Sequence, residues 1–140
     1  MRMFPLSATA LIILVGSVTA GSAMSEYRWK NRPLVVFAPS DSSPLLAEQR
    51  RIVANNRAGL GERDMVVIWV VGDSTSADLG SRPAAKAAAL RARYGVADGA
   101  FRAILVGKDG GQKLASSQPI EAGKLFATID AMPMRRDEMR

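Results

Sequence analysis

Three serines and an aspartate lie between two prolines at residues 39–44, the part of this sequence best suited to bind a ligand. Serine hydroxyls and the unpaired backbone N–H groups at the start of a helix bind anions, and Arg102 could add positive charge from a neighbouring strand. The same side chains are also typical helix caps, and the carboxylate of Asp41 would repel an anion. A small-anion site and a simple helix cap therefore both stay open for four residues: Ser40, Asp41, Ser42 and Ser43.

The side chains that most often catalyse reactions near neutral pH are missing from the sequence. It contains no cysteine and no histidine, which excludes thiol–disulfide exchange and cysteine-based peroxide reduction because the nucleophile does not exist. A serine nucleophile would need lysine or a carboxylate as its base, and Asp41 is too close along the chain to be assumed in that role. The aspartates lack the spacing of a calcium-binding loop, so we expect no metal and no cofactor.

The end of the chain, residues 133–140, is a second candidate for binding. Methionine is a soft and adaptable contact residue, and here it alternates with basic side chains. The pattern predicts either a docking tail or a solvated terminus, and in both cases removing residues 134–140 should leave the stability unchanged. The candidate contact residues are Met132, Met134, Arg135 and Arg136.

Residues 24–33 form a polar lead-in that contains two aromatic side chains, Tyr27 and Trp29. Aromatic side chains at such a position form either a binding lip or part of the core. For Trp29 the sequence favours packing over the edge of a sheet.

The first 23 residues have the pattern of a signal peptide. Arg2 is followed by an apolar stretch at 6–18, and small residues allow cleavage near Ala20 or Ala23. The stretch is shorter than the roughly 20 residues that span a membrane, although an uncleaved anchor stays the alternative. We therefore expect a periplasmic or secreted protein, with no stable membrane span after cleavage.

The chain is basic, with a formal net charge of +6. The positive charges are scattered along the sequence, and export argues against nucleic acid as the partner. Solubility, an anionic lipid surface or an acidic partner explains the charge better.

Apolar runs and turn residues predict the elements that must position these candidates. Two continuous apolar runs are typical of strands buried on both faces, and Ser43 followed by Pro44 predicts a helix start. The polar segment at 72–82 is predicted as a mobile loop. Strands are expected at 34–38, 65–71, 102–106 and 112–115, and helices at 44–60, 83–94 and 122–132. This order, strand-helix-strand-helix-strand-strand-helix, predicts an α/β domain at 34–132 with a mixed four-stranded sheet.

Several short motifs resemble those of peroxiredoxins. The motifs are Phe37-Ala38-Pro39, Tyr94-Gly95-Val96 and the turn Asp109-Gly110. The resemblance places Leu46 where the reactive cysteine of that family would lie, and it implies a thioredoxin-like fold.

More specifically, the chain resembles an uncharacterised bacterial thioredoxin-like family of unknown function, with similar modules in extracellular sushi-repeat proteins. The resemblance rests on Tyr27-x-Trp29-Lys30-x-Arg32, on residues 105–111 and on residues 129–136. It implies a fold and no reaction. We expect an exported, non-catalytic binding module whose partner is an envelope protein or a small anionic ligand. An unusual non-thiol enzyme or redox accessory protein and an envelope-surface structural protein are the alternatives.

Overall fold

The computed structural model describes residues 23–140. Almost all of the predicted signal peptide, including the cleavage point at Ala20, lies outside these residues. Among those described, no helix is long and apolar enough to cross a membrane.

A mixed sheet of five strands forms the centre of the fold, in the order β3-β2-β1-β4-β5. Strand β1 pairs in parallel with β2 and antiparallel with β4, while β3 and β5 are antiparallel edge strands. The strands are β1 Arg32–Ala38, β2 Met65–Val71, β3 Ser74–Asp78, β4 Arg102–Val106 and β5 Gln112–Ser116.

Five helices accompany the sheet, and a 3₁₀ turn at Ser25–Tyr27 precedes it. The helices are α1 Pro44–Asn55, α2 Arg57–Glu62, α3 Ala87–Tyr94, α4 Ala122–Asp130 and α5 Pro133–Glu138. The helix expected at 44–60 is thus two helices, because the backbone of Asn56 leaves the helical region with φ −132°. Helix α3 begins at Ala87 rather than at residue 83.

The sheet is covered on both faces because alternate residues of a strand point to opposite sides. Leu34 and Val36 belong to a core completed by apolar side chains of α1, α2 and α4. Val35 and Phe37 belong to a second core, formed with α3 and the turn at Ser25–Tyr27. This two-sided burial explains why β1 and β2 are continuous apolar runs.

The prediction of four strands is wrong, because the segment expected as a mobile loop contains strand β3. Gly72 turns the chain with φ +54°, and residues from Ser74 onward then pair with β2. Asp78 closes the hairpin by accepting a hydrogen bond from the Trp69 indole N–H at 2.9 Å. The strand is half-exposed and polar, as an edge strand can be.

Helices α2 and α4 pack closely at one glycine. The guanidinium carbon of Arg63 lies 3.9 Å from the centre of the Phe126 ring. A Cβ atom at Gly59 would meet that ring at 2.7 Å, whereas one at Gly61 would have open space. A side chain at position 59 would therefore force the Phe126 ring to move.

Candidate functional site

A cleft of about 500 Å³ lies at the end of the sheet where β1 begins. Its walls come from the lead-in, from the β4–β5 hairpin and from the start of α5. The lining residues are Trp29, Arg32, Gly107, Lys108, Asp109, Lys113, Met132, Pro133, Met134 and Asp137.

Trp29 forms one wall and is the most exposed large apolar side chain described, at 62 %. Its backbone is left-handed, with φ +67°, a conformation that strains a bulky residue. The backbone N–H of Trp29 donates to the carbonyl oxygen of Lys108 at 2.7 Å, and this hydrogen bond holds the residue in that conformation. The expectation that Trp29 is core is wrong. Tyr27, by contrast, is buried, as is Trp69 in β2.

The opposite wall includes two of the methionines predicted as contact residues. Met132 and Met134 both line the cleft, and Met134 is exposed. Arg136 is exposed and pairs with no described residue, whereas Arg135 is buried. Of the four predicted residues, two therefore line the cleft, Arg136 lies on the surface and Arg135 lies in the interior.

A partly buried charge network lies at the base of the cleft. Both terminal nitrogens of Arg32, whose side chain is 1 % exposed, donate to the carboxylate of Glu138 at 3.1 Å. Lys108 Nζ donates to the same carboxylate at 2.6 Å and to Asp64 at 2.8 Å. Partial burial would raise the pKa of Glu138, but the hydrogen bonds from Arg32 and Lys108 outweigh it and lower the pKa from 4.5 to about 2.

A second set of ion pairs joins α5 to the ends of α4 and α2. Arg63 donates to both carboxylate oxygens of Asp130, at 3.0 and 2.9 Å. Arg135 reaches Asp130 at 3.4 Å and Glu62 at 3.3 Å. The hydrogen bond from Arg63 is the main reason why the pKa of Asp130 is lowered. Residues 133–138 are thus a helix tied to the domain through the buried Arg135, while the other residues of 133–140 are exposed.

The serine loop after β1 is organised as a helix cap. The Ser43 hydroxyl accepts a hydrogen bond from a backbone N–H in the first turn of α1 at 3.4 Å. Ser40 and Ser42 share a hydrogen bond at 2.9 Å, and Asp41 pairs with Arg50 at 3.4 Å on the surface. All four side chains have partners within the loop or the helix that follows it.

Arg102, expected beside this loop, is not in contact with it. It lies opposite Phe37 in the sheet register, so its side chain is on the face covered by α3, whereas α1 lies on the other face. The side chain is exposed and forms no hydrogen bond or ion pair within residues 23–140. The structure therefore does not assemble the predicted anion site.

The charged group at this end of the sheet is Arg91, which sequence reasoning missed. The side chain is buried, and its terminal nitrogens donate to the carbonyl oxygens of Gly72 at 2.6 Å and Ala38 at 3.3 Å. Arg91 therefore ties together the ends of β1 and β2. Nothing in the alanine-rich helical pattern marks this arginine as buried.

The cleft brings together the three segments on which the family resemblance rests, 27–32, 105–111 and 129–136. The concentration of the family-typical motifs in these three segments is the signal in the sequence that could have located the site. The cleft offers an aromatic surface, methionine side chains and cationic groups, which together can bind a ligand. Within the described part of the chain, no group of three or more acidic side chains is placed to hold a metal ion.

The family model "Domain of unknown function (DUF4174)" matches residues 23–138. Similar proteins include the sushi repeat-containing protein SRPX of Homo sapiens, 28% identical over 93% of this chain and 29% of that protein. The SRPX protein of Rattus norvegicus is 28% identical, over 95% and 30% respectively. Coiled-coil domain-containing protein 80 of Danio rerio is 26% identical, over 83% and 15%. The chain thus spans less than a third of these relatives. No solved structure matches it significantly.

Proposed function

Because the chain belongs to the DUF4174 family, a domain of unknown function, we propose its role from the geometry of the cleft. The protein is an exported, cysteine-free binding module that holds a partner protein in the cleft beside Trp29 and performs no catalysis. The observation that carries this proposal is Trp29 itself, exposed over the cleft in a strained backbone conformation.

The energetic cost of this arrangement supports binding. A bulky residue in the left-handed region costs about 1–3 kcal/mol, and an exposed indole recovers little of that by burial in the free protein. Tryptophan is among the side chains that contribute most to protein interfaces. A partner that covers Trp29 would supply the burial that the free protein lacks.

We also propose a thioredoxin-like core made of β1, β2, β4 and β5, with β3 added at one edge. Its support is the parallel β1–β2 pair joined through α1 and α2, and the antiparallel β4–β5 hairpin. The similarity to peroxiredoxins would then be limited to the fold, since the chain has no cysteine.

Export to the periplasm or the cell exterior is part of the same proposal and rests on the pattern of residues 1–23. An envelope-surface role is the second candidate. It is favoured by the exposed Trp29 beside the exposed cations Arg28 and Lys30, a combination also found where proteins meet anionic membranes.

The binding role is tested by comparing two substitutions of exposed apolar residues. Trp29→Ala removes a wall of the cleft, while Met139→Ala changes a side chain that is 51% exposed but does not line it. Proteins cross-linked to the parent from an envelope or secreted extract should be lost with Trp29→Ala and kept with Met139→Ala. Thermal unfolding should show both variants folded. Retention of the same partners by Trp29→Ala would refute the proposal.

A further inference from the structure

The carboxylates around the cleft are already neutralised by cations of the same chain. Each forms an ion pair, with N···O distances between 2.6 and 3.8 Å. The pairs are Asp64 with Lys108, Glu138 with Lys108 and Arg32, Asp109 with Lys113, and Asp137 with Arg140. These ion pairs reduce the attraction of the cleft for a basic ligand.

Three cations on the segments that form the cleft walls, in contrast, have no acidic partner within the described residues, although none of them is among the lining residues. The guanidinium of Arg28 lies against Gly110 in the hairpin turn. Lys30 follows Trp29 directly, and Arg136 lies two residues after Met134 on α5. All three cations are exposed. The surroundings of the cleft therefore carry an uncompensated positive charge next to apolar walls.

We infer that the cleft binds an acidic peptide segment of a partner protein that carries one large apolar side chain. This inference rests on the proposed function and adds the partner's chemistry. The apolar side chain enters between Trp29 and Met134, where methionine adapts to its shape. Carboxylates on either side of it pair with Arg28, Lys30 and Arg136. The concave shape favours a peptide over a flat lipid surface, because a cleft of about 500 Å³ can enclose a side chain.

The test uses a fluorescent peptide with the sequence Glu-Glu-Phe-Glu-Glu and the purified full-length protein. One control peptide replaces the glutamates by glutamines, and the other replaces the phenylalanine by alanine. Fluorescence anisotropy should show saturable binding of the first peptide, weakened about tenfold or more by loss of either feature. Added salt should weaken it as well, because exposed charges are screened.

Matched charge variants separate the cleft from the overall charge of the protein. The triple variant Arg28→Gln, Lys30→Gln, Arg136→Gln should lose about tenfold or more in affinity, because it removes three exposed ion pairs at once. The triple variant Arg82→Gln, Lys86→Gln, Lys124→Gln removes the same charge from exposed cations on segments that do not form the cleft walls, and it should change affinity by less than about threefold. Thermal unfolding should show both variants folded.

The possible outcomes are distinct. If the glutamine peptide binds as tightly as the acidic one, and Trp29→Ala abolishes both, the inference is overturned while the binding role stands. If no peptide binds and Trp29→Ala keeps its cross-linked partners, both proposals fail. If instead no peptide binds but vesicles of anionic phosphatidylglycerol bind in a manner that depends on Trp29, the partner is a membrane surface and the peptide is excluded.

Discussion

Replacing Glu138 by glutamine should destabilise the protein more than its position near the end of the chain suggests. Glu138 accepts a hydrogen bond from each terminal nitrogen of Arg32, which is almost fully buried and otherwise donates only to the carbonyl oxygen of Arg63 at 3.0 Å. A guanidinium that loses its carboxylate inside a protein keeps its desolvation cost without the compensating attraction. The amide of glutamine occupies the same volume but carries no charge.

The size of this loss of stability follows from the lowered pKa of Glu138. A fall in its pKa from 4.5 to about 2 converts to about 3 kcal/mol of stability at neutral pH. Since 24% of the side chain is exposed, solvent screening reduces this figure. We expect Glu138→Gln to lower the free energy of unfolding by about 1–2 kcal/mol. Deletion of residues 134–140 should cost more, because it also removes Arg135, contrary to the sequence-based expectation that trimming is harmless.

The contribution of Glu138 to the stability of the protein depends on pH. The pKa of Glu138 is lower in the folded state, so its contribution is fully present above about pH 4.5 and is lost as the pH falls toward 2. Urea unfolding across this window should show the difference between parent and variant shrinking as the pH falls. Asp137→Asn, which affects only an exposed pair at 3.8 Å, is the matched control and should change little. A pH-independent difference, or equal losses in the two variants, would contradict the assigned role of Glu138.

Four further predictions concern parts of the fold away from the cleft, each measured by urea denaturation. Ser43→Ala should cost about 1 kcal/mol because it removes the cap of α1, and an unchanged midpoint would contradict that cap. Gly59→Ala should destabilise by about 1–3 kcal/mol because the added methyl group would overlap an aromatic ring. Gly61→Ala, in open space on the same helix, should be neutral or stabilising by up to about 1 kcal/mol, and similar losses at both sites would refute the packing argument. Arg91→Met should cost about 1–3 kcal/mol, since two strand-end carbonyls lose their buried donor. Arg102→Ala should change stability by less than about 0.5 kcal/mol, and a sulfate-induced rise in Tm that disappears in this variant would restore the anion site.

The central strands and the start of α1 could be predicted because the information is local. Strand β2 is a continuous apolar run with buried faces, and Ser43 with Pro44 specifies the helix start through their own backbone geometry. The β4–β5 hairpin was predicted for the same reason, since its glycines permit the turn.

The missed features depend on tertiary contacts. Strand β3 is polar and takes its structure from pairing with β2, so its composition resembles that of a loop. The one buried residue of helix α5 is charged, Arg135, and hydrophobic periodicity cannot detect such a helix. The exposure of Trp29 is set by a hydrogen bond to Lys108, nearly 80 residues away in the chain.

Arg32 and Arg91, which are buried at opposite ends of the sheet, give those ends different sensitivities to acid. Arg32 is held by one backbone carbonyl and by a carboxylate that can accept a proton, whereas Arg91 is held by backbone carbonyls alone, which do not titrate between neutral pH and pH 2. Acidification therefore weakens the anchorage of α5 and of the segment before β1 while the junction of β1, β2 and α3 keeps its ties. The half of the domain that carries the cleft is the one that loosens first in acid.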